Sequence, residues 1–97
     1  MSDRDVILSR LRQALPSLKT RYPIKSLGLF GSVARNDAVS SSDIDILVEF
    51  SAPTSLSLFL ALEAELARLT GREVDLVSRQ ALKPFIGTHV LHDLVAV

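Results

Sequence analysis

The chain has 97 residues and no cysteine, and its 11 basic side chains balance its 11 acidic ones. A chain of this length predicts one domain, residues 1–97, and without cysteine it cannot form disulfides or a thiolate metal site. Zero net charge argues against a polynucleotide as the main substrate, and without a signal peptide or a membrane-spanning stretch we expect a cytoplasmic protein.

The first predicted element is an amphipathic helix that begins at Asp3, a residue able to cap it. Its apolar residues recur every three or four positions, at Ile7, Leu11, Ala14 or Leu15, and Leu18. Proline lacks a backbone donor and disfavours helical geometry in the residue before it. Pro16 therefore predicts a kink or a break into two short helices, the second ending near Tyr22.

A first strand is predicted over residues 25–30, and it leads directly into Gly31 and Ser32. The glycine is expected to open a loop, and residues 32–37 to form a short helix. The backbone amides of Ser32 and Val33 would then lie at a helix N-terminus, where an anion is favoured.

The second predicted strand, residues 43–50, places two carboxylates on one face. Asp43 and Asp45 are two residues apart and alternate with apolar residues, and such positions share a face of a strand. At roughly 6–7 Å the two charges repel by about 2–3 kcal/mol. A divalent cation would reverse the sign of this interaction, and oxygen ligands favour magnesium or manganese over zinc.

A helix is predicted at about residues 55–70, with Thr54 or Ser55 capping its start and Gly71 ending it. One side carries the apolar stripe Leu58, Leu62, Leu66 and Leu69, and the exposed side is expected to carry Glu63, Glu65 and Arg68. A third strand over residues 73–78 has Asp75 at its centre. Pro84 marks the expected start of a last helix, whose apolar face continues to Leu94.

A phosphate loop beside a pair of carboxylates on a strand is the arrangement that metal-assisted nucleotidyl transfer requires. That chemistry needs a third carboxylate to hold a second ion or to act as a base. Asp75 is the best candidate, because it is the only acid in the middle of another predicted strand, where an unpaired carboxylate would be costly to bury. Glu73 shares its face and is a weaker choice.

These motifs carry a family resemblance. The chain contains Gly31-Ser32, then ten further residues, then Asp43-Ile44-Asp45 and an acid on the next strand. This pattern resembles that of the nucleotidyltransferases of the DNA polymerase beta superfamily. Ala34-Arg35 and the run after the acids make the chain most similar to the minimal nucleotidyltransferase (MNT) proteins. The resemblance covers nearly the whole chain and implies an α/β fold, a small mixed sheet backed by helices.

One residue departs from the family pattern. Asn36 stands where such sequences often carry glycine. Since asparagine tolerates left-handed backbone angles better than most residues, we expect the loop to keep its shape.

The resemblance also implies a function. MNT proteins of this size are similar to the antitoxins of two-gene modules whose toxin is a HEPN-domain RNase, and family members transfer AMP from ATP to a tyrosine of that toxin. The resemblance implies ATP as substrate and Mg²⁺ as cofactor, bound as two ions or replaced by Mn²⁺. It implies a HEPN toxin as partner, with a possible hetero-oligomer, and no direct contact with nucleic acid or membrane. Carried over by position, the phosphate-binding residues are Gly31, Ser32 and Arg35, and the catalytic metal ligands are Asp43, Asp45 and Asp75.

Two other functions remain open on the sequence alone. The chain could neutralise its partner by binding it without catalysis, or it could modify a small molecule. Enzymes of the second kind carry an additional domain to hold the acceptor, for which 97 residues leave no room. We therefore expect the acceptor to be another protein, and the high apolar fraction of 47% predicts an exposed surface for it.

Overall fold

A four-stranded sheet and the helices packed on it make up the described part of the chain, which in this computed structural model comprises residues 3–36, 43–81 and 90–97. The elements are α1 Asp3–Arg21, β1 Ile24–Phe30, α2 Gly31–Ala34, β2 Ile44–Phe50, α3 Leu56–Thr70, β3 Val74–Ser78, a 3-10 turn Arg79–Ala81 and β4 Val95–Ala96. The expected helix start at Pro84 lies outside these residues. No helix within them is long and apolar enough to cross a membrane.

The strand order is β3-β2-β1-β4, and the sheet is mixed. Strand β1 runs antiparallel to both β2 and β4, whereas β2 and β3 are parallel. This confirms the predicted fold class, a small mixed sheet backed by helices.

The core lies between one face of the sheet and the two long helices. Its apolar side chains include Ile7, Leu11, Leu18, Leu27, Leu29, Ile44, Ile46, Val48, Leu62, Leu66 and Leu76. In β2 these buried residues alternate with Asp45 and Glu49, which are only partly buried. Because successive side chains of a strand point to opposite faces, both carboxylates lie on the face away from the core.

The structure excludes one of the two outcomes predicted at Pro16, the break into two short helices. Helix α1 continues through Pro16 as one element of 19 residues. Pro16 is exposed, as is Arg12, whose carbonyl loses its partner when residue 16 has no N–H. Since that carbonyl lies on the solvent side of the helix, water can satisfy it, and the buried leucines hold both halves of the helix on the core.

Helix α3 has the ends that the sequence predicts. The side chain of Ser55 accepts a hydrogen bond from the backbone N–H of Leu58 at 3.1 Å and so caps the first turn. Gly71 ends the helix in the left-handed conformation, with φ of 71°. Both features are local, which explains why the sequence predicts them.

Strand β4 has no counterpart among the predicted elements. It has two residues, and Ala96 pairs with Gly28 of β1. Leu94, just before it, packs so closely on Gly28 that a Cβ at that position would overlap its side chain. The sequence pattern assigns Leu94 to a helical apolar face, and a two-residue strand has no periodicity that could indicate otherwise.

Glu65, expected on the exposed side of α3, is 8% exposed. Its Oε2 accepts a hydrogen bond from the Tyr22 hydroxyl at 2.7 Å, and its Oε1 forms an ion pair with Arg21 and lies 3.6 Å from Arg68. Burial raises the pKa of this carboxyl, but the hydrogen bonds from Tyr22 and Arg21 outweigh it, so the pKa of Glu65 is lowered overall. The ionised carboxylate therefore stabilises the fold.

Glu65→Gln tests this contribution. Glutamine can still accept the Tyr22 hydrogen bond but loses the charge, so we expect the free energy of unfolding at pH 7 to fall by about 1–2 kcal/mol. A carboxyl with a lowered pKa stabilises the folded state above its ordinary pKa of 4.5, and this stabilisation is lost as the pH falls further. In urea unfolding, the variant should therefore be less stable than the wild type at pH 7, and this difference in free energy of unfolding should disappear below pH 4.5. A difference that is absent, or that does not change with pH, would contradict the stabilising role of Glu65. Glu73→Gln on the surface serves as control.

Candidate functional site

The strand pairing places two of the predicted acids side by side. In the parallel pair of β2 and β3, Asp45 lies opposite Asp75. Residues opposite each other on neighbouring strands are about 4.8 Å apart and project from the same face. Asp43, directly before β2, is exposed and lines the same groove as Asp75. The structure thus brings all three predicted acids to one end of these strands.

Gly31 forms the wall on the other side of Asp45. Its φ is 74°, in the left-handed region, and Asp45 Oδ2 occupies the space where a Cβ would lie. Only glycine meets both requirements without strain, the backbone angle and the close approach of the carboxylate. The predicted phosphate loop is therefore in direct contact with a predicted metal ligand.

Helix α2 is shorter than predicted. It covers Gly31–Ala34, so Ser32 lies in its first turn, and the backbone N–H of Arg35 donates to the Gly31 carbonyl at 3.1 Å. Asn36 follows with φ of 63°, so this residue takes the left-handed backbone that the family glycine would permit. Asp37, the predicted end of the helix, lies outside the described residues.

The charges at this end of the strands repel one another. Burial raises the pKa of Asp45, and the nearby Asp75 and Asp43 raise it further, whereas the Arg35 guanidinium opposes the effect. Asp75 is expected from the sequence to be buried at a cost in free energy, but its side chain is exposed, so that reason for choosing it is wrong. Its place opposite Asp45 is the better reason to include it in the site.

The three carboxylates have the chemistry of a magnesium site but not its closed geometry. Hard oxygen donors suit Mg²⁺ or Mn²⁺, and a divalent cation would relieve the repulsion around Asp45. Nevertheless, among residues 3–36, 43–81 and 90–97 no three His, Cys, Asp or Glu side chains converge closely enough to hold an ion. Binding a metal would therefore require side-chain rotation, which the exposed Asp43 and Asp75 permit.

Arg35 has a partner that the sequence did not reveal. Its Nη1 donates to Asp93 Oδ2 at 2.7 Å, which ties the end of the chain to the phosphate loop. This hydrogen bond, together with that of His92, lowers the pKa of Asp93. Asp93 is 58 residues away in sequence, so no local pattern could have indicated the contact. The pair holds the arginine near Asp45.

An open groove of about 480 Å³ begins at Asp43 and Asp75. A larger depression of about 560 Å³ lies on α1 and contains none of the predicted site residues. The groove at the acids is the opening through which a substrate could reach the carboxylates. Together, the Gly31 turn, Arg35 and the acids offer groups for a phosphate chain and a divalent cation.

Known proteins share the sequence pattern and the fold of this chain. The model of the family described as Nucleotidyltransferase domain matches residues 11–96. The chain belongs to this family. Protein adenylyltransferase MntA of Thermococcus cleftensis is 42% identical to this nucleotidyltransferase over 80 residues, 82% of this chain and 81% of the relative. A relative from Methanocaldococcus jannaschii, also named as a protein adenylyltransferase, is 44% identical over 88 residues, 90% of each chain.

Solved structures show the same fold. One of a minimal nucleotidyltransferase matches this nucleotidyltransferase with a TM-score of 0.80 and 33% identity, covering 100% of this chain and 97% of the other. A Shewanella oneidensis structure described as a tri-AMPylated HEPN toxin in complex with MNT antitoxin matches with a TM-score of 0.61 at 22% identity, covering 97% and 67%. The comparisons confirm the resemblance to the MNT proteins and the prediction of an enzyme of the protein adenylyltransferase kind.

Gly31→Ala should separate backbone strain from contact with the acid. The left-handed φ costs about 1–2 kcal/mol for a residue with a Cβ, and here the Cβ also displaces Asp45. Gly71→Ala is the matched control, because Gly71 has nearly the same φ but nothing within 4 Å of an added Cβ. We expect both variants to lose stability in thermal unfolding and only Gly31→Ala to lose ATP binding in calorimetry. Equal ATP binding by the two variants would contradict a role of the Gly31 turn in holding the nucleotide.

Asp45→Asn is expected to stabilise the fold at neutral pH. A carboxyl whose pKa is raised by folding destabilises the protein once it is ionised, as the pH rises through that pKa. The midpoint of thermal unfolding should therefore rise by a few degrees at pH 7, and the gain should vanish below the ordinary pKa of 3.8. Asp5→Asn on the exposed side of α1 is the control. If Asp45→Asn is no more stable than the wild type at pH 7, the acids do not strain the site.

Proposed function

We propose that this chain transfers AMP from ATP to a hydroxyl group of a partner HEPN toxin, that of a tyrosine, and thereby acts as an antitoxin. The observation that carries the proposal is the placement of Asp45 between Asp75 and Gly31, where a carboxylate pair meets a phosphate-type loop. The names of the MntA relative and of the HEPN complex support it.

In this proposal Gly31, Ser32 and Arg35 hold the triphosphate. The backbone amides of the first turn of α2 supply donors to phosphate oxygens, and Arg35 supplies a positive charge that Asp93 keeps in place. The loop and the carboxylates are in contact through Gly31 and Asp45, so a phosphate chain bound at the loop lies next to the acids.

The three acids would hold Mg²⁺, as two ions, or Mn²⁺ in its place. When bound, the metal would neutralise the negative charges of the phosphate oxygens and of the carboxylates of Asp43, Asp45 and Asp75. The acceptor oxygen then forms a bond to the α-phosphorus of ATP, the bond between that phosphorus and the bridging oxygen breaks, and pyrophosphate leaves. Asp75 is exposed, so it can take the proton of an incoming hydroxyl.

The acceptor in this scheme is a protein. We propose that residues 1–97 act as one domain and that the partner brings the hydroxyl to the open groove beside the acids. The reaction belongs in the cytoplasm, where ATP is available.

The test is transfer of label from ATP to the partner. The wild-type chain is incubated with the protein encoded by the adjacent reading frame, which the proposal expects to be a HEPN toxin, together with Mg²⁺ and ATP labelled at the α-phosphate. AMP on the partner is measured by mass spectrometry. Asp43→Asn combined with Asp45→Asn should reduce transfer by about two orders of magnitude or more, because both proposed metal ligands are lost. Asp5→Asn should transfer as the wild type does.

Absence of label with the wild-type chain would overturn the proposal. If the double variant also kept its ability to neutralise the toxin, the chain would act by binding its partner. Transfer of AMP to a small molecule without any partner would instead indicate a small-molecule nucleotidyltransferase.

A further inference from the structure

An open groove between α3 and β3 is lined in part by two of the proposed catalytic acids. Its four carboxylates are those of Asp43, Glu63, Glu73 and Asp75. Apolar residues of α3 and β3 make up the rest of the lining, and none of the described residues that line it is basic. The groove is thus both acidic and apolar, and it opens onto the proposed catalytic acids.

The apolar part is a second stripe on α3. Leu60, Ala64 and Ala67 follow one another at helical spacing, on a different side of the helix from the core leucines Leu62 and Leu66. Leu60 is 50% exposed, although burying such a side chain would gain free energy. Unlike the other exposed leucines, Leu60 lines a groove together with four carboxylates, so its apolar surface can contact a ligand bound there.

The fold holds one of the groove acids in place. Glu63 Oε2 accepts a hydrogen bond from the backbone N–H of Leu76 at 3.0 Å. Strand β3 lies at the edge of the sheet, so this contact fixes the carboxylate between α3 and the edge strand. Because Glu63 occupies the backbone N–H of Leu76, that donor is unavailable to a strand added at this edge of the sheet. A ligand that lies in the groove is therefore favoured over one that extends the sheet.

The nucleotide and the acceptor can approach the acids from different sides. Gly31 contacts Asp45, and neither Gly31 nor Arg35 lines the groove. A triphosphate held by the loop therefore reaches the acids from the Gly31 side, whereas a hydroxyl group can reach Asp43 and Asp75 from the groove.

We propose that this groove receives the acceptor segment of the partner, a polypeptide stretch in which basic and apolar side chains flank the hydroxyl to be modified. The basic side chains pair with Glu63 and Glu73, and an apolar one packs on Leu60. Charge complementarity and continuity with the acids support this occupant. The inference rests on the proposed AMP transfer and adds to it the surface that selects the acceptor.

Two substitutions test the groove, each with a matched control. Leu60→Lys adds a charge to the apolar stripe, and Leu56→Lys makes the same change one turn earlier, at a residue that is 72% exposed and does not line the groove. Glu73→Lys reverses the charge of a groove residue, and Asp5→Lys reverses the charge of an exposed residue of α1. All four side chains are exposed, so the variants should fold, which circular dichroism checks.

Three quantities are measured with the protein encoded by the adjacent reading frame, the expected HEPN partner: its dissociation constant, the KM for it in AMP transfer, and the dissociation constant of ATP. Both groove variants should weaken partner binding and raise the KM about tenfold with ATP binding unchanged, while both controls stay within about twofold of wild type. Groove variants that bind the partner as the controls do would overturn the inference. If the wild-type chain binds the partner but transfers no AMP, only the proposed function is contradicted. The dissociation constants of the groove variants for the partner still show whether the partner binds in the groove.

Discussion

The site depends on the parallel pairing of β2 with β3. In that register Asp45 lies opposite Asp75, and Asp45 in turn fills the space that Gly31 leaves open. A shift of either strand by one residue would move its carboxylate to the core face, because side chains alternate along a strand. The buried residues Ile44, Ile46 and Leu76 fix the register, so the hydrophobic core positions the acids.

This arrangement is costly to the folded protein. Negative charges gather around Asp45, and burial adds to the cost of ionising it. Elsewhere the chain compensates its buried charge, as Glu65 does with Tyr22 and Arg21. Carboxylates that lack such compensation are typical of sites whose ligand carries the opposite charge. The contrast between the two acids is the physical reason to assign a function to Asp45 and a structural role to Glu65.

Local patterns predicted most of the fold and part of the site. Alternation in β2 placed Asp45 on a separate face from the core, and cap residues set the ends of α3. Contacts between distant segments were not predictable: Arg35 with Asp93, Tyr22 with Glu65, and the short strand β4. Helix α1 does not break at Pro16, because tertiary packing outweighs the loss of one solvent-side hydrogen bond. The structure contradicts the burial argument for Asp75, and strand register supplies the valid one.

We propose that the acids and the loop form one site for a metal-bound nucleotide. A crystal structure with Mn²⁺ and a non-hydrolysable ATP analogue would test this arrangement, because manganese is located by its anomalous scattering. We expect manganese bound by Asp43, Asp45 and Asp75, with the triphosphate against Gly31 and Ser32. Manganese bound elsewhere, or a nucleotide that does not contact the Gly31 turn, would contradict it.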